Sequence, residues 1–283
     1  MLYYTLIIIS TVLFSLQFFF NQRFQQENGT DIKATLTFSF YKSIVALIIM
    51  LIISGFSVNL SPFSLAMALI YSVSGFLMTY FSLKAFSVAN LSVYSVFSML
   101  GGMILPFFLG VAFYDEELNL FKIICCFLIV CSILLNIKSG SKDKKAVFYY
   151  MAVFVLNGMA GVISKIHQSS ALPHANSSEF MAQTSLISAV ICGIWLLISY
   201  RKIPLVSPKS FLYVSGSGLF NGVGNLFLLI SLAVLPASVQ YPLVTGGVMV
   251  FSAVISTVRK EKLTKREYLA TAVAFLASVL IAL

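Results

Sequence analysis

Long apolar runs dominate the chain and leave it few ways to fold. Leu2 to Asn21, Ala34 to Ser54, Pro62 to Phe81, Leu91 to Phe113, Phe121 to Ile137, Ala146 to Ser164, Phe180 to Ser199, Ser210 to Ser231, Ala237 to Val258 and Tyr268 to Leu283 follow one another with only short polar breaks. A helix rising 1.5 Å per residue needs about 20 apolar residues to cross a bilayer's hydrocarbon, and a closed barrel would show shorter, alternating segments. The pattern therefore predicts an all-α membrane protein with ten transmembrane helices. Composition agrees, because 59% of residues are hydrophobic and 10% charged, against roughly 45–50% and about 25% in soluble domains. The weakest boundary is Lys84 to Asn90, where apolar content barely falls. The first run has no basic leader and no small-residue cleavage site, so it reads as a retained span.

The net charge of +9 raises the question of a nucleic-acid partner, which the placement of the basic residues excludes. They fall in the connections. Given ten spans, one face collects Arg23, Lys33, Lys84, Lys138, Lys142, Lys144, Lys145, Arg201, Lys202, Lys209, Arg259, Lys260, Lys262, Lys265 and Arg266. The other has Lys122 and Lys165, and Lys42 lies within the second run. Cytoplasmic loops carry the basic excess, so the expectation is a multi-pass plasma-membrane protein with both termini outside. The four cysteines sit in apolar runs without metal or redox spacing and read as packing residues.

Sliding the chain along itself returns one shift, near 145 to 146 residues. Tyr3 and Tyr4 fall on Tyr149 and Tyr150, and Ser92 and Val93 on Ser238 and Val239. After a one-residue slip, Gly101 and Gly102 fall on Gly246 and Gly247, and Glu116 and Leu118 on Glu261 and Leu263. This predicts two five-helix units, residues 1–140 and 146–283. Five is odd, so the second unit enters the bilayer from the opposite face. Inverted repeats of this kind build transporters with a site near the midplane between the halves.

The segments SVANLSVYSVFSMLGG, FYDEELNLFKIICCFLIVCSILL and RKEKLTKREYLATAVAFLASVLIAL resemble the drug/metabolite transporter superfamily of the EamA type, and nearly the whole chain fits its two five-helix units. Glu116 and Glu261 match the family's Glu-x-Leu signature, and Lys42 stands where many members have a basic residue in the second helix. The chain departs from the pattern in several places. Phe14 and Ser15 replace the family's Trp-Gly pair, Pro106 lies about three positions beyond the usual proline, and many members keep their termini in the cytoplasm. The resemblance implies transport of a small solute and names no substrate.

All nine acids lie in connections or at helix ends. A membrane-embedded carboxylate, the usual device of a cation/proton antiporter, is missing, which leaves neutral, zwitterionic or anionic cargo. Lys42, the one basic residue deep in a run, either faces a central cavity and pairs with a substrate carboxylate or phosphate, or snorkels to an interface. Gln17, Tyr80, Tyr94, Asn157, Asn221, Asn225, Gln240 and Tyr241 complete the candidate substrate-binding set; each serves equally as interhelical hydrogen-bonding glue. Glycine clusters, Gly101 and Gly102 among them, read mainly as close-approach points, and Pro106 and Pro242 as kinks. Glu116 and Glu261 read as partners of helix N-termini.

A membrane hydrolase would need paired carboxylates, His-Glu-x-x-His or a nucleophile with its base, and none is present. His167 and His174 share one predicted loop without a third ligand, so no metal and no cofactor are expected. The reading is therefore a non-enzymatic secondary transporter moving a small metabolite, an amino acid or related organic solute, by alternating access. Its expected partners are a small-molecule substrate and membrane lipids, with the oligomeric state open and a monomer among the options. The alternatives are a flippase for lipid-linked sugar or phosphate and a non-transporting membrane scaffold.

Overall fold

The computed structural model describes residues 2–57, 59–88, 90–113, 120–140, 144–232, 237–261 and 263–280. Among them the chain forms ten helices: α1 (Leu2–Asn28), α2 (Ile32–Ile53), α3 (Pro62–Phe86), α4 (Leu91–Phe113), α5 (Leu120–Gly140), α6 (Lys144–Gln168), α7 (Ser177–Tyr200), α8 (Pro208–Leu232), α9 (Ala237–Val258) and α10 (Lys265–Leu280). No strand occurs among the described residues. Five of the helices, α1, α2, α3, α6 and α7, are long and apolar enough to cross a membrane. Shorter apolar stretches, 91–106, 123–135 and 243–258, lie in α4, α5 and α9.

Where helices outrun the apolar pattern, polar side chains at the extension find partners. α1 continues past Asn21 because Gln22 accepts from Arg259, Glu27 pairs with Lys209, and Asn28 donates to Ser210 Oγ at 2.9 Å. α6 likewise runs to Gln168 and takes in His167, so the two histidines do not share a loop. The faint break between the third and fourth runs falls at Ser87, whose N–H turns back to Lys84 O.

α1 packs on α8 and α9, and α6 packs on α3 and α4. α2 meets α7 and α8, α7 meets α3, α4 meets α9, and α5 meets α10. Exchanging each helix for the one five places along maps this set onto itself. Most of the packing therefore runs between the two halves of the chain, around a core that joins Phe18 of α1, Phe86 of α3, Tyr94 and Phe97 of α4, Tyr150 of α6 and Val248 of α9.

Small residues set the closest crossings. A Cβ on Gly101 would meet Phe154 O at 1.9 Å, and one on Gly158 would meet Gly101 O at 2.7 Å, so α4 and α6 touch backbone to backbone. The crossing of α9 on α1 repeats this design, with Gly247 against Thr11 as Gly102 is against Asn157. Helix starts recur in the same way. Ser61 and Ser64 flank Pro62 at the start of α3, with Ser64 N–H donating to Ser61 Oγ at 3.1 Å. Ser207, Pro208 and Ser210 form the same cap on α8, again with 3.1 Å between Ser210 N and Ser207 Oγ. Each spends the proline at a position where the missing N–H costs nothing.

The connections gather at two ends. At one end Arg259 reaches Gln22, Lys209 reaches Glu27, Tyr41 donates to Pro204 O at 3.1 Å, and Glu261 Oε2 accepts from Leu91 N at 3.3 Å. That last contact places Glu261 at the N-terminus of α4, where a helix dipole favours an anion. Its counterpart Glu116 lies outside the described residues. At the other end, 22 residues of α2 away and so about 33 Å, Ser57 donates to Glu179 Oε1 at 2.6 Å and Gln183 donates to Asn59 O.

Candidate functional site

Between the halves lies a cavity of about 360 Å³ lined by described side chains from every helix except α5 and α10. That is the lower end of the range of small-molecule sites, roughly 300–1,000 Å³. Its wall combines aromatic rings (Phe14, Phe18, Phe76, Tyr94) with amides and hydroxyls, and it contains no carboxylate among the described residues.

Of the residues expected at a site, Gln17, Lys42, Tyr94, Asn157, Asn221 and Asn225 line this cavity. α2 carries Lys42 inward one turn beyond Phe38, with the ammonium 5.9 Å from the Phe38 ring centroid. It makes no hydrogen bond and no ion pair among the described residues, and it faces the cavity. α1 and α8 meet through Asn221 Nδ2, which donates to Gln17 Oε1 at 3.0 Å. This leaves the Gln17 amide protons and the Asn221 side-chain Oδ1 without a partner among the described residues. Asn225 donates to Asn221 O at 2.8 Å, and Asn157 donates to Ser98 O at 2.6 Å. Each of these amides therefore uses part of its capacity on helix contacts; Asn157, Asn221 and Asn225 keep a side-chain oxygen for the cavity, and Gln17 keeps its amide protons. Tyr94 is more committed: it is 1% exposed, its hydroxyl is 2.8 Å from Ser82 Oγ, and Phe18 and Phe86 pack on its ring.

Tyr80 does not reach the cavity. It lies near the end of α3 under the Lys84 ammonium, 5.5 Å from its ring centroid, and beside Phe81; the helical phase of α3 turns Met78, Thr79 and Ser82 inward instead. The side chains of Gln240 and Tyr241 lie outside the described ones.

The cavity also takes residues that sequence reasoning passed over: Asn21, Ser39, Thr79, Ser185, Ser188 and His167. Among the lining residues, Asn21 and His167, Ser39 and Ser185, Lys42 and Ser188, Gly75 and Asn221, and Thr79 and Asn225 are pairs separated by 146 positions. The repeat shift would have found them had it been applied to polar positions within the runs rather than to the motif ends. Asn21 Oδ1 accepts from Ser217 at 2.6 Å on the side of the basic connections. His167 lies toward the opposite end, with Nε2 2.9 Å from Ser64 Oγ and its ring 3.9 Å from that of Phe180. No group of three or more metal-ligating side chains occurs among the described residues.

Residues 144–283 match the model of the EamA-like transporter family. The second half of the chain belongs to that family. Its members are transporters, so the EamA-type half implies a membrane setting and a small solute as cargo. Among solved structures, one titled only as the crystal structure of a protein matches with a TM-score of 0.65 at 15% identity, covering 98% of this chain and 96% of that one. At that identity the likeness shows that this chain shares its fold with the solved protein, and nothing about cargo. No curated protein matches.

Proposed function

We propose that this chain is a secondary transporter of the plasma membrane that moves a small organic solute carrying an anionic group, by alternating access between two inverted five-helix halves spanning the bilayer ten times. The observation that carries this reading is Lys42, an ammonium facing a cavity between the halves, with no carboxylate in the wall and no ion pair of its own among the described residues. A buried charge is stable only when paired, and here the cargo supplies the partner. The amides of Gln17, Asn221 and Asn225, which line the same cavity, orient the rest of the solute, and Phe14, Phe18 and Phe76 cover its apolar part. An amino acid enters through its carboxylate at Lys42, and its ammonium faces the amide oxygens. The 146-residue spacing of the lining pairs and the five-place symmetry of the packing support duplication, and the two ends at which connections collect support inversion. The basic end faces the cytoplasm on the positive-inside rule, which places both termini outside.

The test is a thermal-shift screen of purified protein against organic anions, amino acids and neutral analogues, followed by uptake of the hits into proteoliposomes. Stabilisation by anions that is lost in Lys42→Met supports the reading. Equal stabilisation of both proteins removes Lys42 from the site.

A further inference from the structure

At one end of the cavity, where His167 lines it, lies a hydrogen-bonded cluster built around a titratable group. His167, 1% exposed, ends α6 beneath the connection to α7, its ring stacked on Phe180 at 3.9 Å and facing Phe63 at 5.9 Å. Its Nε2 is 2.9 Å from Ser64 Oγ. That hydroxyl already accepts twice, from Ala175 N–H at 2.8 Å and from Ser61 Oγ at 2.9 Å. A serine oxygen has two lone pairs and one proton. With both pairs occupied, Ser64 donates its proton to His167, so Nε2 is bare and the ring is neutral with its proton on Nδ1.

The opposite end is built from the equivalent residues and lacks the titratable member. Ser207 donates to Ser210 Oγ at 3.0 Å, and Asn28 supplies the second donor at 2.9 Å. The position equivalent to His167 is Asn21, which accepts from Ser217. Both clusters join the start of one helix to the end of another, and only one contains a group that changes charge near neutral pH.

We propose that His167 is a proton-binding site, and that its protonation releases the 169–176 connection and opens that end of the cavity. A proton on Nε2 makes the ring a donor to an oxygen with no free lone pair, so either Ser61 or Ala175 must let go. No carboxylate hydrogen-bonds or ion-pairs with this ring among the described residues. Of the charged groups around it, Glu179 on α7 already accepts from Ser57 Oγ and from Asn176 N–H. The His174 ring is 5.2 Å away and adds repulsion when it too is charged, and Lys165 on α6 is a cation. The side chains touching the ring from α3, Phe63 and Ser64, carry no charge. A buried, unpaired charge is relieved by water, which enters once the connection lifts. If the cavity is the transport vestibule proposed above, the proton becomes the coupling ion; proton binding and opening do not depend on that reading.

Hydrogen exchange of the full-length protein in nanodiscs at about pH 5 and about pH 8, either side of the ordinary imidazole value, tests this. Corrected for intrinsic rates, protection of residues 169–176 is expected to fall roughly tenfold on acidification, the scale of one lost buried hydrogen bond. Residues 207–211 are expected to hold theirs. His167→Gln, which offers Ser64 a neutral acceptor, is expected to abolish the change, and His174→Gln to preserve it. Equal pH dependence in His167→Gln, or none in the parent protein, overturns the proposal. Should His167→Gln fail to fold, His174→Gln leaves one histidine of the original two. Its imidazole ¹⁵N spectrum must then report a proton on Nδ1 at the higher pH and titrate together with the loss of protection. An Nε2–H ring or a failure to titrate is equally fatal.

Discussion

Lys42 and the amides divide the work of the cavity in a way that follows from their donors. An ammonium gives three protons and no acceptor, whereas Gln17 and Asn221 have each used one group on the other's helix and Asn225 one on its own, and each offers its other group to a ligand. Replacing the ammonium by a thioether of similar length keeps the packing and removes an unpaired buried charge. Lys42→Met is therefore expected to unfold at the same or a higher temperature, while affinity for an anionic solute falls about ten- to a hundredfold, the equivalent of a charged hydrogen bond. Calorimetry and binding on the same preparation separate the two effects. Gln17→Leu should act in the opposite order. It strands the Asn221 donor and costs about 1–3 kcal/mol of stability, seen as a lower midpoint in denaturant. At this scale Gln17, Asn221 and Asn225 were legible as polar side chains inside apolar runs, whereas Asn21, one turn from Gln17, was not singled out and lines the cavity with them. Tyr80 was misjudged because its neighbours on α3 are polar too, and residue type does not say which of them faces inward.

Helix contacts give sharper contrasts. Gly101 meets the Phe154 carbonyl in the backbone of α6, where nothing can rotate away, and Gly75 has nothing within 4 Å of its missing Cβ. Gly101→Ala is expected to lower stability by at least the 1–3 kcal/mol typical of overpacking, about that amount or more. Gly75→Ala is expected to gain up to about 1 kcal/mol from helix propensity. A pair of thermal melts distinguishes a close-approach glycine from an incidental one, and the reverse order would refute the assignment. Glu261 acts between elements: it pairs with Arg259 at 3.0 Å and accepts from the first N–H of α4. Glu261→Gln keeps an acceptor and loses the charge, for an expected cost of about 0.3–1 kcal/mol that shrinks as salt is raised. Its helix-terminus role was readable from its place after an apolar run. That the helix would be α4, from the other half of the chain, was not.

For the molecule as a whole, the two groups of connections make the orientation testable. Leu172 and Leu205 are both exposed, in connections at opposite ends. Single cysteines at these sites, in a background stripped of the other four, are expected to react differently with an impermeant reagent. Leu172→Cys should label in intact cells and Leu205→Cys only after permeabilisation; the reverse result puts the termini inside, and labelling from one side alone breaks the inversion. Local sequence alone determined the helices, since a run of about 20 apolar residues in lipid can satisfy its backbone only internally. The 145- to 146-residue shift is also read from the sequence alone, and it is the ground on which the duplication is proposed. The cavity was decided by tertiary structure. Which face of each helix turns inward depends on side chains more than a hundred positions away, as when Gly247 admits Thr11 or Ser64 meets His167. A helix that is apolar nearly all round carries no amphipathic stripe to announce that face beforehand.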